Sequence, residues 1–214
     1  MITPVVIGSM KIRWFAPPEL GETIRWGLFW NPGCATRWVA LTPPWAVTAT
    51  VRSSSKPRTT RLGRDSSVDI AVQPSIGHLG SLQFMFDADM PVPSRIDVSG
   101  ALILNAGTSR KGPILGQVWA DFDDDAVTVG VVRRLRLMSV ESDVRPDASL
   151  PHGTTWGWAT RQFLPGTERF YELRRAPKAL ASYPLTDRAN GAWRESFLVV
   201  DVETDQSRSR KSVR

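Results

Sequence analysis

Three residues in this 214-residue chain have the chemistry of a nucleophile and its base: the single cysteine, Cys34, and the two histidines, His78 and His152. A thiol attacks as its thiolate, so Cys34 would need one of those imidazoles beside it. It follows Asn31-Pro32-Gly33, a turn sequence that exposes what it carries. No cysteine-hydrolase signature surrounds it, and a lone cysteine is more often a small core hydrophobe. The nucleophile-elbow pattern Gly-x-Ser-x-Gly is absent, and Gly80-Ser81 reads as part of an apolar strand.

Oxygen ligands for a hard cation are densest at Asp121, Asp123, Asp124 and Asp125, which Asp87 and Asp89 would join if the two segments faced each other. Asp121 and Asp123 are the metal candidates. The run fails as an EF-hand, lacking Gly at loop position six and Glu at position twelve, and carboxylates between strands also serve as a solvated turn that blunts a sheet edge. The glycine-flanked, basic Gly107-Thr108-Ser109-Arg110-Lys111-Gly112 does not follow Walker A order, so Arg110 and Lys111 remain candidates for contacting an anion. No cofactor is called for by any of these patterns.

The formal net charge is +6, and its placement decides its meaning. Arg52, Lys56, Arg58, Arg61 and Arg64 fall within residues 52–64 with no acid among them, in what reads as a loop. Arg208, Arg210, Lys211 and Arg214 load the last residues, and the remainder of the chain is close to neutral. Single-strand nucleic-acid binders join a cationic groove to aromatic platforms. Trp38 and Trp45 precede the basic stretch, and Trp156 and Trp158 share a strand face. Same-face tryptophans are also large core residues, and that account fits most of the nine.

The elements that must position these groups are strands. Residues 21–30 alternate, with Ile24, Trp26, Leu28 and Trp30 on one face and Thr23, Arg25 and Gly27 on the other. Comparable runs fall near 2–8, 10–15, 37–41, 45–51, 68–72, 81–86, 96–104, 115–120, 127–140, 154–163, 168–174 and 195–203. The 16 glycines and 16 prolines punctuate them and leave few, short helices. Residues 167–180 fit a helix capped by Thr167 or a strand, and Pro177 favours the strand. The pattern predicts a mainly β protein, an antiparallel barrel or sandwich, in one domain over 1–204 with a disordered basic tail at 205–214. An acidic cluster followed by a Gly-led apolar strand occurs at 87–104 and again at 121–137, which suggests two related half-barrels, 1–106 and 107–204.

Gly21-Glu22-Thr23-Ile24-Arg25-Trp26-Gly27-Leu28, the strand opened by Gly130-Val131-Val132-Arg133-Arg134-Leu135 after its acidic cluster, and Phe197-Leu198-Val199-Val200-Asp201-Val202 resemble a family of uncharacterised actinobacterial β-rich proteins. The likeness covers about a third of the chain and implies a β-rich fold. It carries no functional residue, and the basic stretch and the tail lie outside it.

One cysteine excludes an intrachain disulfide and fits a reducing cytoplasm. No segment approaches 18 continuous apolar residues, so no membrane partner is expected. The composition points to a non-enzymatic, cytoplasmic interaction or assembly module whose partner is another protein. The alternatives are nucleic-acid binding through 52–64 and the tail, and a hydrolase using Cys34 with histidine or an Asp-bound metal.

Overall fold

The computed structural model describes residues 1–13, 15–31, 45–54, 58–61, 69–88, 91–106, 126–144, 161–164, 166–185 and 193–205. Thirteen strands belong to one mixed sheet: β1 (Ile2–Ile7), β2 (Thr23–Phe29), β3 (Ala46–Ser53), β4 (Arg58–Arg61), β5 (Asp69–Leu79), β6 (Leu82–Ala88), β7 (Arg95–Ser99), β8 (Leu102–Ala106), β9 (Val127–Val144), β10 (Arg161–Phe163), β11 (Arg169–Leu173), β12 (Ser182–Pro184) and β13 (Trp193–Glu203). The protein is mainly β, as the sequence predicts, with one short helix, α1 (Ser9–Ile12), among the described residues.

The sheet closes a ring that draws strands from both the 1–106 and the 107–204 stretches, and it carries a branch. β9, β13, β1, β8 and β2 follow each other by hydrogen-bonded pairing, and β2 returns to β9 to close the circle. All of these pairings are antiparallel except β1 with β8. The branch leaves β2 through a parallel contact with β6 and continues through β5, β3 and β7. Unbroken apolar runs, Pro4-Val5-Val6-Ile7 in β1 and Phe197-Leu198-Val199-Val200 in β13, are buried on both faces, as central strands must be. Alternate residues of these runs feed two apolar clusters. Val5, Ile7, Leu198 and Val200 join Trp26, Leu28 and Leu135 in a core that runs on into Phe84, Phe86 and Val98 of the branch. Val6, Phe197 and Val199 join Met138 and Val140 on the opposite face.

Trp26 and Trp30 are 4% and 5% exposed, so the tryptophan face of β2 is core. Trp30 packs edge-on against Phe86 with ring centroids 6.2 Å apart, and its Nε1 donates to the Ser99 carbonyl at 3.2 Å. Each fully buried Leu or Phe of this kind contributes roughly 2 kcal/mol through apolar area removed from water.

Three local expectations need correction. Residues 10–15 are not a strand: the Ile12 and Phe15 amides donate to the Gly8 and Lys11 carbonyls, both at 3.1 Å, which winds a helical turn. Ile12 and Phe15, three residues apart, then reach the core together, a spacing no strand face offers. The run 96–104 divides into β7 and β8 at Gly100, whose φ of 86° is left-handed backbone that breaks a strand. The basic stretch 52–64 is not simply a loop, because Arg52 ends β3 and Arg58 to Arg61 form β4. The backbone continues the ladder past β3, the Ser54 amide donating to the Pro74 carbonyl at 2.8 Å, so β3 and β4 follow one edge of the long β5 in turn.

Candidate interaction surface

β9 is long enough to carry different neighbours along its length. One edge is taken almost entirely by β13, and the other by β2, β11 and β10 in succession. Over Leu135 to Ser139 the two edges can be compared row by row. Met138 lies between Phe197 of β13 and Phe170 of β11, Leu137 between Leu198 and Tyr171, and Arg136 between Val199 and Glu172. The β13 members of those rows are buried, with Leu198 at 0% and Phe197 at 3%, whereas Phe170 and Tyr171 are 39% and 51% exposed. Arg169 and Glu172 are exposed too, and among the described residues no strand pairs with the outer edge of β11.

β11 is fixed at both ends. Before it, the Thr167 hydroxyl donates to the Leu164 carbonyl at 2.7 Å and accepts from the Glu141 amide at 3.0 Å, which ties the turn to β9. After it, Ala176 and Leu180 enter the main core at 5% exposure each, and the Ala176 amide donates to the Pro18 carbonyl at 3.4 Å. Arg175 pairs with Glu19 at 3.1 Å. Anchors of this kind hold an exposed edge in an extended form before any partner arrives, which lowers the ordering cost of binding.

Charge is organised around the strand. Arg136 reaches Asp201 at 2.7 Å, nearly buried, and its guanidinium lies 5.7 Å from the Phe170 ring centroid, so the inner side of that ring is covered by a cation. Arg134 donates to Glu172; this bond holds the Glu172 carboxyl below the usual carboxylate range and pushes the Arg134 guanidinium up. Arg169 within the strand and Arg174 just after it are exposed. Further along β9, Arg194 pairs with Glu141 at 2.5 Å and the Ser142 hydroxyl donates to the buried Glu195 at 2.8 Å. Those bonds join β9 to β13 and are spent on the fold.

Of the residues singled out from sequence, Arg52 is half-buried and donates from Nε to His78 Nε2 at 2.8 Å. That ring nitrogen is therefore engaged as an acceptor and lies in a β3–β5 ladder. Arg58 and Arg61 fall in β4, and Asp87 near the end of β6. Lys56, Arg64, Arg110, Lys111, Asp89, Asp121, Asp123, Asp124, Asp125, Cys34, His152, Trp38, Trp156 and Trp158 lie outside the described residues, as does residue 206 onward. Among the described residues no three His, Cys, Asp or Glu side chains meet as a metal site, and no helix is long and apolar enough to cross a membrane. A cleft of about 590 Å³ opens at one mouth of the ring, lined by Met1, Thr23, Val129, Gly130 and Thr204 among others.

Sequence reasoning looked for the surface in the basic stretch and missed β11. The signal was present in Arg169-Phe170-Tyr171-Glu172, where aromatic and charged residues follow each other without the alternation of a half-buried strand. Comparison with protein-family models, with curated proteins and with solved structures gives no match for this chain.

Proposed function

We propose that this β-rich chain is a protein-interaction or assembly module that takes an extended partner segment along β11. The observation that supports the reading is the burial contrast across β9: one neighbour is core, and the other keeps two aromatic side chains in solvent on an unpaired edge. An open edge presents a row of main-chain donors and acceptors that a partner strand can complete. Aromatic side chains beside Arg are what the centres of interfaces are made of. The work assigned to the chain is recognition, without chemistry.

The test is co-purification from the native cell with Tyr171→Lys compared against Thr48→Lys, which alters an exposed residue of β3. Both variants should keep the wild-type melting temperature, since neither side chain is buried. A protein retained by Thr48→Lys and lost by Tyr171→Lys is the expected result. Equal retention by both, or recovery of nucleic acid alone through a salt-sensitive contact, would move the function away from β11 and toward the basic strands β3 and β4.

A further inference from the structure

The sequence of β11 selects its own partner. When two copies of one strand continue a sheet in antiparallel sense, the two-fold axis stands normal to the sheet, and each face of the strand stays on its own side. A residue then meets one of the same parity in the other copy, and the axis passes midway between one residue and its own copy. β11 runs from Arg169 to Leu173, which leaves five registers, four centred on the exposed Arg169, Phe170, Tyr171 and Glu172 and one on Leu173, which is packed against the main core.

Three of the five oppose like charges. Centred on Arg169, the two guanidinium groups meet at the axis. Centred on Phe170, Glu168 faces Glu172 of the second copy; centred on Glu172, two glutamates meet at the axis and Arg169 faces Arg175. Like charges directly across a ladder are destabilising. Centred on Tyr171, the pairs become Tyr171 with Tyr171, Phe170 with Glu172, Arg169 with Leu173, and Glu168 with Arg174. No like charges face each other, and two Glu168–Arg174 pairs form, one on each side of the axis. On the diagonal, Arg169 of each copy reaches the Tyr171 ring of the other, where a cation over an aromatic face is favourable. Glu168 borders the strand with one carboxylate oxygen accepting from the Gly166 amide at 2.8 Å, and Arg174 is exposed.

We propose that this chain pairs with a second copy of itself through β11, antiparallel and in the register centred on Tyr171. The inference rests on the interaction reading and names the occupant of that edge. Charge complementarity carries it: only the registers centred on Tyr171 and Leu173 oppose no like charges, and Tyr171 puts an exposed aromatic pair at the axis whereas Leu173 is packed against the core.

Sedimentation velocity of the full chain over a range of concentrations tests it, using the single variants E168R and R174E, their equimolar mixture, and the double variant E168R/R174E. The wild type should form a dimer as concentration rises. Each single reversal places two like-charge pairs across the axis and should weaken the dimer about tenfold. In the mixture every reversed residue finds an unreversed opposite charge, so the dimer should return as a heterodimer, and the double variant should dimerise by itself. Return of the dimer on mixing also shows that each single variant is folded. Single variants that dimerise as the wild type does, or a mixture that restores nothing, would overturn the register. A wild type that stays a single chain throughout would overturn the second copy as occupant. In that case loss of another co-purifying protein in Tyr171→Lys would leave the interaction reading standing, and the absence of both signals would remove the two together.

Discussion

β13 and β11 flank the same five residues of β9 and were put to different uses. Ser196 to Val200 of β13 are buried throughout, while Arg169 to Glu172 of β11 face solvent. Hydrogen-bond ladders are common to both, so backbone pairing does not distinguish them. Side chains do: β13 presents Phe197-Leu198-Val199-Val200, apolar on both faces, and is covered on its other edge by β1. β11 presents a charge, two aromatics and a charge, with nothing among the described residues beyond it. A strand that adds little apolar burial contributes little to stability, and its exposed aromatics are left available to the partner proposed above.

Removing a core side chain on the β13 side should have the largest effect. Leu198→Ala is expected to lower unfolding free energy by about 3–4 kcal/mol in chemical denaturation, because it empties a fully buried site beside Leu137. The same truncation across the row, Tyr171→Ala, should cost below about 1 kcal/mol. Equal costs would break the contrast between the strands.

Arg136→Met comes next, since it strands the Asp201 carboxylate in a nearly buried position and removes the cation over Phe170. A loss of about 3 kcal/mol is expected. A neutral result would mean that the guanidinium belongs to the outer surface and not to the ring.

Gly130→Ala tests the ring itself. A Cβ there would lie 2.5 Å from Val202 Cγ1 and 2.7 Å from the Glu203 carbonyl, so β9 and β13 would have to separate where the ring closes on β2. We expect a cost of about 2 kcal/mol, read in the same denaturation experiment.

The smallest effect concerns pH. Glu172 has its folded-state carboxyl lowered by Arg134, so its contribution is in place above about pH 4.5 and fades as pH falls through the folded value. Because both side chains are exposed, the effect is screened. Glu172→Gln should leave stability at neutral pH nearly unchanged and slightly flatten its decline in acid, as followed by denaturation between pH 3 and 6.

Much of the fold could be read from residue order. Alternation over residues 21–30 put Trp26 and Trp30 on one face, which is buried, and the runs expected near 2–8 and 195–203 are β1 and β13. Pro177 favoured a strand over a helix at 167–180, and β11 is that strand. Pairing was not legible, because ring closure joins β1 to β13 and β2 to β9 across most of the chain and no local pattern encodes such partners. The helical turn at Ser9 to Ile12 escaped because six residues are too few to separate the two periods. The candidate surface escaped for a related reason: the run at 168–174 predicts a strand, but whether its outer edge is covered follows only from the neighbours of β9.

The most direct measurement is amide hydrogen exchange at Arg169–Leu173 and Ser196–Val200 in one sample, compared between dilute and concentrated protein. Slow exchange in β13 at both concentrations is predicted, with fast exchange from the outward amides of β11 when dilute and clear protection when concentrated. Protection of β11 equal to that of β13 in dilute protein, unchanged by concentration, would contradict the account.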